Sequence, residues 1–262
     1  MSITNLTGQV IMITGISGQI GQSLVSTALE RGAQVFGLDV SLDAMEKVAE
    51  NKDWDLDNIH MWEADIGRNN EVEVAFESAI SRFGYVSSLI NNAGVSVFSP
   101  WFERTEEEFD LVTNVNLKGT FNCLKIFIQY CAETNTQGSI VNVASHYGLI
   151  SPDPKIYTDC ARRNSEIYGA TKAGVIQMTK YFSVNAIADG AEVRVNAVAP
   201  GGVRNPWSPQ GEDFQRLYSE RCPMGRLAEI EEIVGPIFFL LSKEASYING
   251  HILVIDGGMT AW

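Results

Sequence analysis

Hydrophobic positions along the chain follow two alternating periods. Short apolar runs, most of them rich in β-branched residues, recur at 10–14, 34–38, 58–62, 86–90, 139–144, 192–198 and 252–255, and each reads as a strand bounded by turn residues. Between them, apolar residues fall at helical spacing. Ile20, Leu24, Val25, Ala28 and Leu29 share one face of a segment that Gly32 stops, which predicts a helix over 19–31. Further helices are predicted over 42–50, 69–83, 105–131, 165–188 and 230–241. Strand and helix alternate throughout. Because βαβ crossovers are right-handed, this rhythm predicts one α/β domain over 1–262: a doubly wound, seven-stranded parallel sheet with helices on both faces and ligands at the carboxyl ends of its strands.

The first of those ends is a glycine turn, Thr14-Gly15-Ile16-Ser17-Gly18-Gln19-Ile20-Gly21. Glycine there lets backbone N–H groups approach a pyrophosphate with no Cβ in the way, and the helix N-terminus that follows adds partial positive charge. Gly15, Gly18, Gln19 and Ile20 are therefore candidate phosphate contacts; a buried strand with an ordinary glycine turn is the plainer alternative. Asp39 ends the second strand about twenty residues on, where a dinucleotide site places an acid for the adenosine ribose hydroxyls. An acid there repels a 2′-phosphate. No Arg or Lys stands at 16–19, nor at Val40 or Ser41, to attract one, so NAD(H) is expected over NADP(H). Asp65 and Ile66 follow the third strand and Asn92, Ala93 and Gly94 the fourth, which adds them to the candidate cofactor contacts.

Composition narrows the partners. A formal net charge of −13 argues against a nucleic-acid or anionic-membrane surface. The first residues show no basic region followed by a long apolar one, and the apolar run near 233–241 is too short to span a bilayer, so a cytoplasmic protein acting on a small molecule is expected. Cys123, Cys131, Cys160 and Cys222 form no Cys-x-x-Cys pair, and His60, His146 and His251 are dispersed, so neither a metal site nor a disulfide framework is expected.

The glycine turn is one of a series of motifs. Asn91-Asn92-Ala93-Gly94, Val115-Asn116-Leu117-Lys118-Gly119, Ile140-Val141-Asn142-Val143-Ala144-Ser145, Tyr168-Gly169-Ala170-Thr171-Lys172, Arg194-Val195-Asn196-Ala197-Val198-Ala199-Pro200-Gly201 and Ile255-Asp256-Gly257-Gly258 follow in order across almost the whole chain. In order and spacing the series resembles the short-chain dehydrogenase/reductase family. The resemblance implies a Rossmann-type fold and hydride transfer between NAD(H) and a secondary alcohol or ketone. It also implies a homotetramer or homodimer packed through the helices at 105–131 and 165–188. It assigns Asn116, Ser145, Tyr168 and Lys172 to catalysis, with Asn116 holding a water of the proton relay and Lys172 also binding the nicotinamide-ribose hydroxyls. Gly201, Val203 and Asn205 fall where the family holds nicotinamide.

Chemistry gives that pairing a reason. Tyr168 and Lys172 lie four apart, on one face of a helix. Hydride removal from a carbinol carbon requires a proton to leave its oxygen, and a free phenol, with pKa about 10, is too weak a base at neutral pH. A nearby ammonium favours the phenolate. Tyr168 then reads as general acid/base, Lys172 as its electrostatic modulator and Ser145 as the group orienting the reacting oxygen.

Several departures bear on specificity. Gln19 stands where the family has glycine, so its side chain either donates to the pyrophosphate or crowds it, and Asn205 replaces a threonine. The segment 146–165 is about ten residues longer than the family spacing, and long loops near a site are often functional. It carries Arg162 and Arg163, which read either as solvated charges or as a clamp for a substrate carboxylate or phosphate. Segment 203–222 is expected to form a flap whose Trp207, Phe214 and Tyr218 either line the pocket or pack on the core. The insert resembles that of family members acting in surface-carbohydrate synthesis, which makes a sugar, polyol or nucleotide sugar the first substrate reading. Reduction of a 3-oxoacyl thioester is the second reading, and a catalytically silent NAD-binding sensor or scaffold the third.

Overall fold

The structure is a computed structural model that describes residues 5–158, 164–207 and 210–262. Its strands are β1 (Val10–Thr14), β2 (Gln34–Asp39), β3 (Ile59–Glu63), β4 (Ser88–Asn91), β5 (Gly138–Val143), β6 (Val193–Pro200) and β7 (Ile252–Ile255). They form one seven-stranded sheet in the order β3-β2-β1-β4-β5-β6-β7, with every neighbouring pair parallel. The helices are α1 (Gln19–Glu30), α2 (Leu42–Lys52), α3 (Asn69–Phe83), α4 (Glu106–Thr113), α5 (Thr120–Thr134), α6 (Glu166–Ala188), α7 (Glu212–Arg221) and α8 (Ile230–Leu241).

The period-two pleat explains why the strands read as unbroken apolar runs. Ile11 and Ile13 of β1 face one core with Leu24 and Val25 of α1 and Ile233 and Phe238 of α8. Val10 and Met12 face the opposite core with Val72 and Phe76 of α3 and Leu124 and Phe127 of α5. Both faces of the sheet are thus buried, as a parallel sheet with crossover helices requires. Because β1 sits between β2 and β4, the chain winds outward in opposite directions from this point. That reversal opens a crevice at the carboxyl ends of β1 and β4.

The single helix predicted over 105–131 is interrupted. Between α4 and α5 the backbone makes a π-helical turn over Asn114–Gly119, centred on the buried Asn116. The Asn116 side chain bonds away from its own helix, and the Thr120 hydroxyl donates to its backbone carbonyl at 2.8 Å. A polar side chain tied to neighbouring segments is a recognised cause of such a bulge. The 203–222 segment contains the helix α7, which apolar spacing alone did not mark. Among the described residues no helix is long and apolar enough to cross a membrane.

Candidate active site

A cleft of about 1020 Å³ opens along the carboxyl edge of the sheet. One end is floored by the turn between β1 and α1. Gly15 has a φ of +72°, and a β-carbon there would stand 2.7 Å from the Ala93 Cα; at Gly21 it would stand 2.0 Å from the Gly15 carbonyl oxygen. Only glycine allows α1, β1 and the segment after β4 to approach this closely. Asn92 locks the approach, donating its Nδ2 to the carbonyls of Thr14 at 2.9 Å and Gly15 at 3.0 Å.

The same turn is prepared for an anion. Gly18 caps α1 with no side-chain hydrogen bond, and the first turn of α1 carries no acidic residue, so its N–H groups and positive dipole end stay unneutralised. The Ser17 hydroxyl oxygen is buried with no hydrogen-bond partner among the described residues. Asp39 accepts from the backbone N–H of Ser17 at 2.9 Å and of Val40 at 2.8 Å, which holds a carboxylate where β2 meets the turn. A glycine cradle, an uncapped helix end, an orphan hydroxyl and a carboxylate in sequence along one cleft fit the diphosphate and ribose of a nicotinamide dinucleotide. Gln19, the departure from the family turn, donates its Nε2 to the Arg204 carbonyl, bridging α1 to the segment after β6.

At the other end the catalytic candidates converge. β5 delivers Ser145 just beyond its carboxyl end, and the hydroxyl of Ser165 caps α6 by accepting the Tyr168 N–H at 3.2 Å. Tyr168 therefore sits in the first turn of α6, with Lys172 one turn further on. Ser145 and Tyr168 both line this end of the cleft. Lys172 Nζ lies 5.6 Å from the centre of the Tyr168 ring. A β-carbon at Gly94 would lie 3.3 Å from Lys172 Nζ and 3.4 Å from Asn116 Oδ1, so these groups share one corner. Asn116 accepts the Val95 N–H at 2.8 Å and donates to Thr171 Oγ1 at 3.2 Å; that hydroxyl in turn donates to the Tyr168 carbonyl at 2.9 Å.

Burial dominates the electrostatics here. It pushes the Tyr168 phenol above its ordinary value, with the Ser145 hydrogen bond pulling the other way. It lowers the Lys172 ammonium to about 8. The ammonium was expected to lower the phenol. In the structure, loss of hydration is the largest influence on both groups.

The described parts of the insert and the flap form a roof on this end. Asp153 accepts a hydrogen bond from Arg221 of α7 at 2.9 Å, and Ile156 is buried with Phe214, Tyr218 and Leu227. The hydroxyls of Tyr147 and Tyr157 are hydrogen-bonded at 2.6 Å, and the Tyr157 and Phe214 rings stand 5.3 Å apart. His146 presents Nδ1 to the Pro200 carbonyl at 2.9 Å, and burial lowers its pKa, so the neutral ring carries its proton on Nδ1.

Nearly all of the expected site residues line the cleft: Gly15, Gly18, Gln19 and Ile20; Asp39, Asp65 and Ile66; Asn92, Ala93 and Gly94; Ser145, Tyr168 and Lys172; Gly201 and Val203. Asn116 and Asn205 do not. Asn116 stands behind Gly94, and Asn205 accepts the Trp207 N–H at 3.0 Å. Phe214 and Tyr218 both line the cleft and pack in the roof, whereas Trp207 lies outside, its ring under Lys52 Nζ at 5.8 Å. Arg162 and Arg163 fall outside the described residues, as does Cys160. His146, Tyr147, Tyr157 and Gln210 line the cleft without having been singled out; adjacency to Ser145 was the available signal for the first two. Among the described residues no three His, Cys, Asp or Glu side chains are grouped to hold a metal ion.

Comparison with known proteins agrees with this geometry. Residues 15–260 match the family model described as enoyl-(acyl carrier protein) reductase. The 3-oxoacyl-(acyl-carrier-protein) reductase FabG of Thermotoga maritima is 32% identical over 255 residues, covering 97% of this chain and 98% of its own. The 3beta-hydroxysteroid dehydrogenase 1 of Eggerthella lenta is 34% identical over 203 residues, covering 76% of this chain and 73% of its own. A crystal structure of a short chain dehydrogenase from Leptospira borgpetersenii with bound NAD+ superposes with a TM-score of 0.87 at 35% identity, covering 98% of this chain and 95% of that one. A glycine cradle at one end of the cleft, a serine–tyrosine–lysine corner at the other and similarity over nearly the full length lead to one assignment: the chain belongs to the short-chain dehydrogenase/reductase family, an NAD(P)-dependent oxidoreductase acting on CH–OH and keto groups.

Proposed function

We propose that this enzyme uses NAD(H) to interconvert a secondary alcohol and its ketone, with Tyr168 as general acid/base and a sugar, polyol or nucleotide sugar as substrate. The observation that carries the reading is the convergence of Ser145, Tyr168 and Lys172, whose Nζ lies 5.6 Å from the Tyr168 ring, in the same cleft as the Asp39 carboxylate. Nicotinamide, when bound, supplies the hydride acceptor or donor. In oxidation, Ser145 holds the carbinol oxygen and Tyr168, as phenolate, takes its proton while the C–H bond gives up hydride; the ketone, reduced cofactor and one proton result. Lys172 and a water held by Asn116 pass that proton toward solvent, and reduction runs the same steps in reverse. Asp39 disfavours a 2′-phosphate, which supports NAD(H) over NADP(H). Gly201 and Val203 line the end of the cleft proposed for nicotinamide.

Hydroxyl and amide groups of Ser96, Tyr147, Tyr157 and Asn164 among aromatic rings support a hydroxylated ring or chain as substrate. A 3-oxoacyl thioester is the second reading, favoured by the similarity to FabG over 97% of the chain. The chain works as one domain and assembles as a homodimer or homotetramer. Exposed Phe109, Leu111, Phe121, Tyr181, Val184 and Ile187 on α4, α5 and α6 support that assembly. Buried free thiols at Cys123, Cys131 and Cys222 are consistent with the cytoplasm. Turnover of polyols, sugars, nucleotide sugars and 3-oxoacyl thioesters with each cofactor tests the reading: activity on a hydroxylated substrate with NAD(H) preferred supports it, and activity confined to thioesters or to NADP(H) overturns the corresponding part.

A further inference from the structure

Arg104 stands in the segment that leaves the carboxyl end of β4, just before α4, and its side chain is 7% exposed. Arg68, Arg204, Arg216, Arg221 and Arg226, which also pair with carboxylates, are 40–68% exposed. Ion pairs in water are worth little, whereas a guanidinium withdrawn from water needs partners at each nitrogen.

Arg104 has those partners, on three segments. Its Nε donates to Glu166 Oε1 at 3.0 Å and its Nη2 to Glu166 Oε2 at 3.4 Å, which engages both carboxylate oxygens on α6. Nη1 donates to Glu108 Oε2 on α4 at 3.2 Å and to the Ser99 hydroxyl, and Nη2 donates to the Ser99 carbonyl at 2.9 Å. The Ser99 hydroxyl passes its own hydrogen to Glu108 Oε2 at 2.7 Å. Because the guanidinium is a rigid planar fork, these bonds fix the three segments in orientation as well as distance.

The three segments meet at the catalytic corner. Glu166 opens α6 two residues before Tyr168. Ser99 follows a stretch whose Gly94, Val95, Ser96 and Phe98 line the cleft. A second tie joins the same two segments, where the Ser96 hydroxyl donates to Asn164 Oδ1 at 3.4 Å. Arg104, Glu108 and Glu166 are not among the cleft-lining residues, so they influence the chemistry through what they hold.

Resting on the alcohol–ketone reading above, we propose that Arg104 is a positioning residue: by holding Glu166 to Ser99 and Glu108, it fixes the first turn of α6 and with it the place of the Tyr168 hydroxyl beside Ser145 and Lys172. Proton transfer tolerates little displacement, since a shift of about 1 Å costs on the order of 100-fold in rate. Loss of Glu166 leaves Arg104 its bonds to Glu108 and Ser99, so the turn loosens without stranding a buried charge.

Kinetics of Glu166→Ala, Arg104→Met and the two combined test this, with calorimetric NAD+ titration and thermal unfolding alongside. The substrate is the fastest member of a panel of polyols, sugars, nucleotide sugars and 3-oxoacyl thioesters. Each single variant is expected to lose about tenfold in kcat while KM and NAD+ affinity stay within about threefold. The double variant is expected to lose no more than the worse single one, because both break one contact. Charge acting alone gives another pattern, since removing a cation and removing an anion shift a phenol in opposite directions. In a Tyr168→Phe background neither substitution is expected to change the residual rate by more than about twofold. An unchanged kcat in folded Glu166→Ala, opposite changes in the two single variants, or an undiminished effect in the Tyr168→Phe background overturns the proposal. Glu166→Ala decides alone if Arg104→Met does not fold. Turnover that Tyr168→Phe leaves unchanged, or that is absent across the panel, strikes the alcohol–ketone reading itself, and the proposal falls with it.

Discussion

Lys172 donates its Nζ proton to the Val143 carbonyl at 2.7 Å, although the Tyr168 ring stands only 5.6 Å away. The carbonyl anchors a buried amine at the end of β5 without neutralising it. The corner thus holds an ammonium whose pKa is down to about 8 beside a phenol whose pKa is raised, both for want of water.

That ammonium costs stability. Its pKa is about 8 folded against 10.5 ordinarily, so between those values the unfolded chain binds a proton that the folded chain has lost. Stability from this group therefore rises with pH across that window, and the penalty, about 3 kcal/mol, is fully present below it. Lys172→Met removes the charge but leaves the Val143 carbonyl unpaired, which returns about 1–2 kcal/mol of the gain. Thermal unfolding at neutral pH is expected to move up by a few degrees for this variant, and the order to reverse above pH 10.5, where only the lost Val143 hydrogen bond remains.

Ser145 is the group that pulls the Tyr168 pKa down. Oxidation needs the phenolate, so kcat/KM for the alcohol rises with pH, while reduction, which uses the phenol, stays level until the phenol ionises. Ser145→Ala is expected to shift the rising limb of the oxidation profile to higher pH and to lower kcat about 100-fold. A pH–rate series in both directions checks the sign.

Asp39 serves both cofactor choice and the turn, since each of its oxygens accepts a backbone N–H. Asp39→Asn keeps an acceptor for the turn and removes the charge that repels a 2′-phosphate. The NAD(H)-to-NADP(H) ratio of kcat/KM is expected to fall by about 100-fold. Steady-state kinetics with both cofactors measures it.

Gly21 has no room for a side chain, with the Gly15 carbonyl oxygen 2.0 Å from where a β-carbon would stand. Gly18 has that room, at 3.5 Å from the same atom. Gly21→Ala is expected to lower stability by about 2 kcal/mol or more and to weaken dinucleotide binding, and Gly18→Ala to cost less than about 1 kcal/mol. Denaturant unfolding and calorimetric titration of both variants distinguish them.

Much of this was legible in the sequence because it is local. Seven apolar runs and their spacing correspond to the seven strands, whereas the bulge at Asn116 goes with side-chain bonds to Val95, in the segment after β4. The roof was not legible. α7 buries only Phe214 and Tyr218 among charged neighbours, and its partners Asp153, Ile156 and Tyr157 lie more than fifty residues earlier. Nor does spacing reveal hydration: Tyr-x-x-x-Lys implies an ammonium near a phenol, but only the packed corner shows that burial is the largest influence on both. The role of Gln19 depended likewise on a carbonyl 185 residues away.

The most direct measurement compares the enzyme with Tyr168→Phe, following reduced-nicotinamide absorbance during alcohol oxidation alongside calorimetric titration with NAD+. The account expects kcat to fall by about 10²–10⁴-fold while NAD+ affinity changes by less than about threefold, since the phenol moves a proton and does not carry the dinucleotide. Unchanged turnover in a variant that binds NAD+ normally would contradict it.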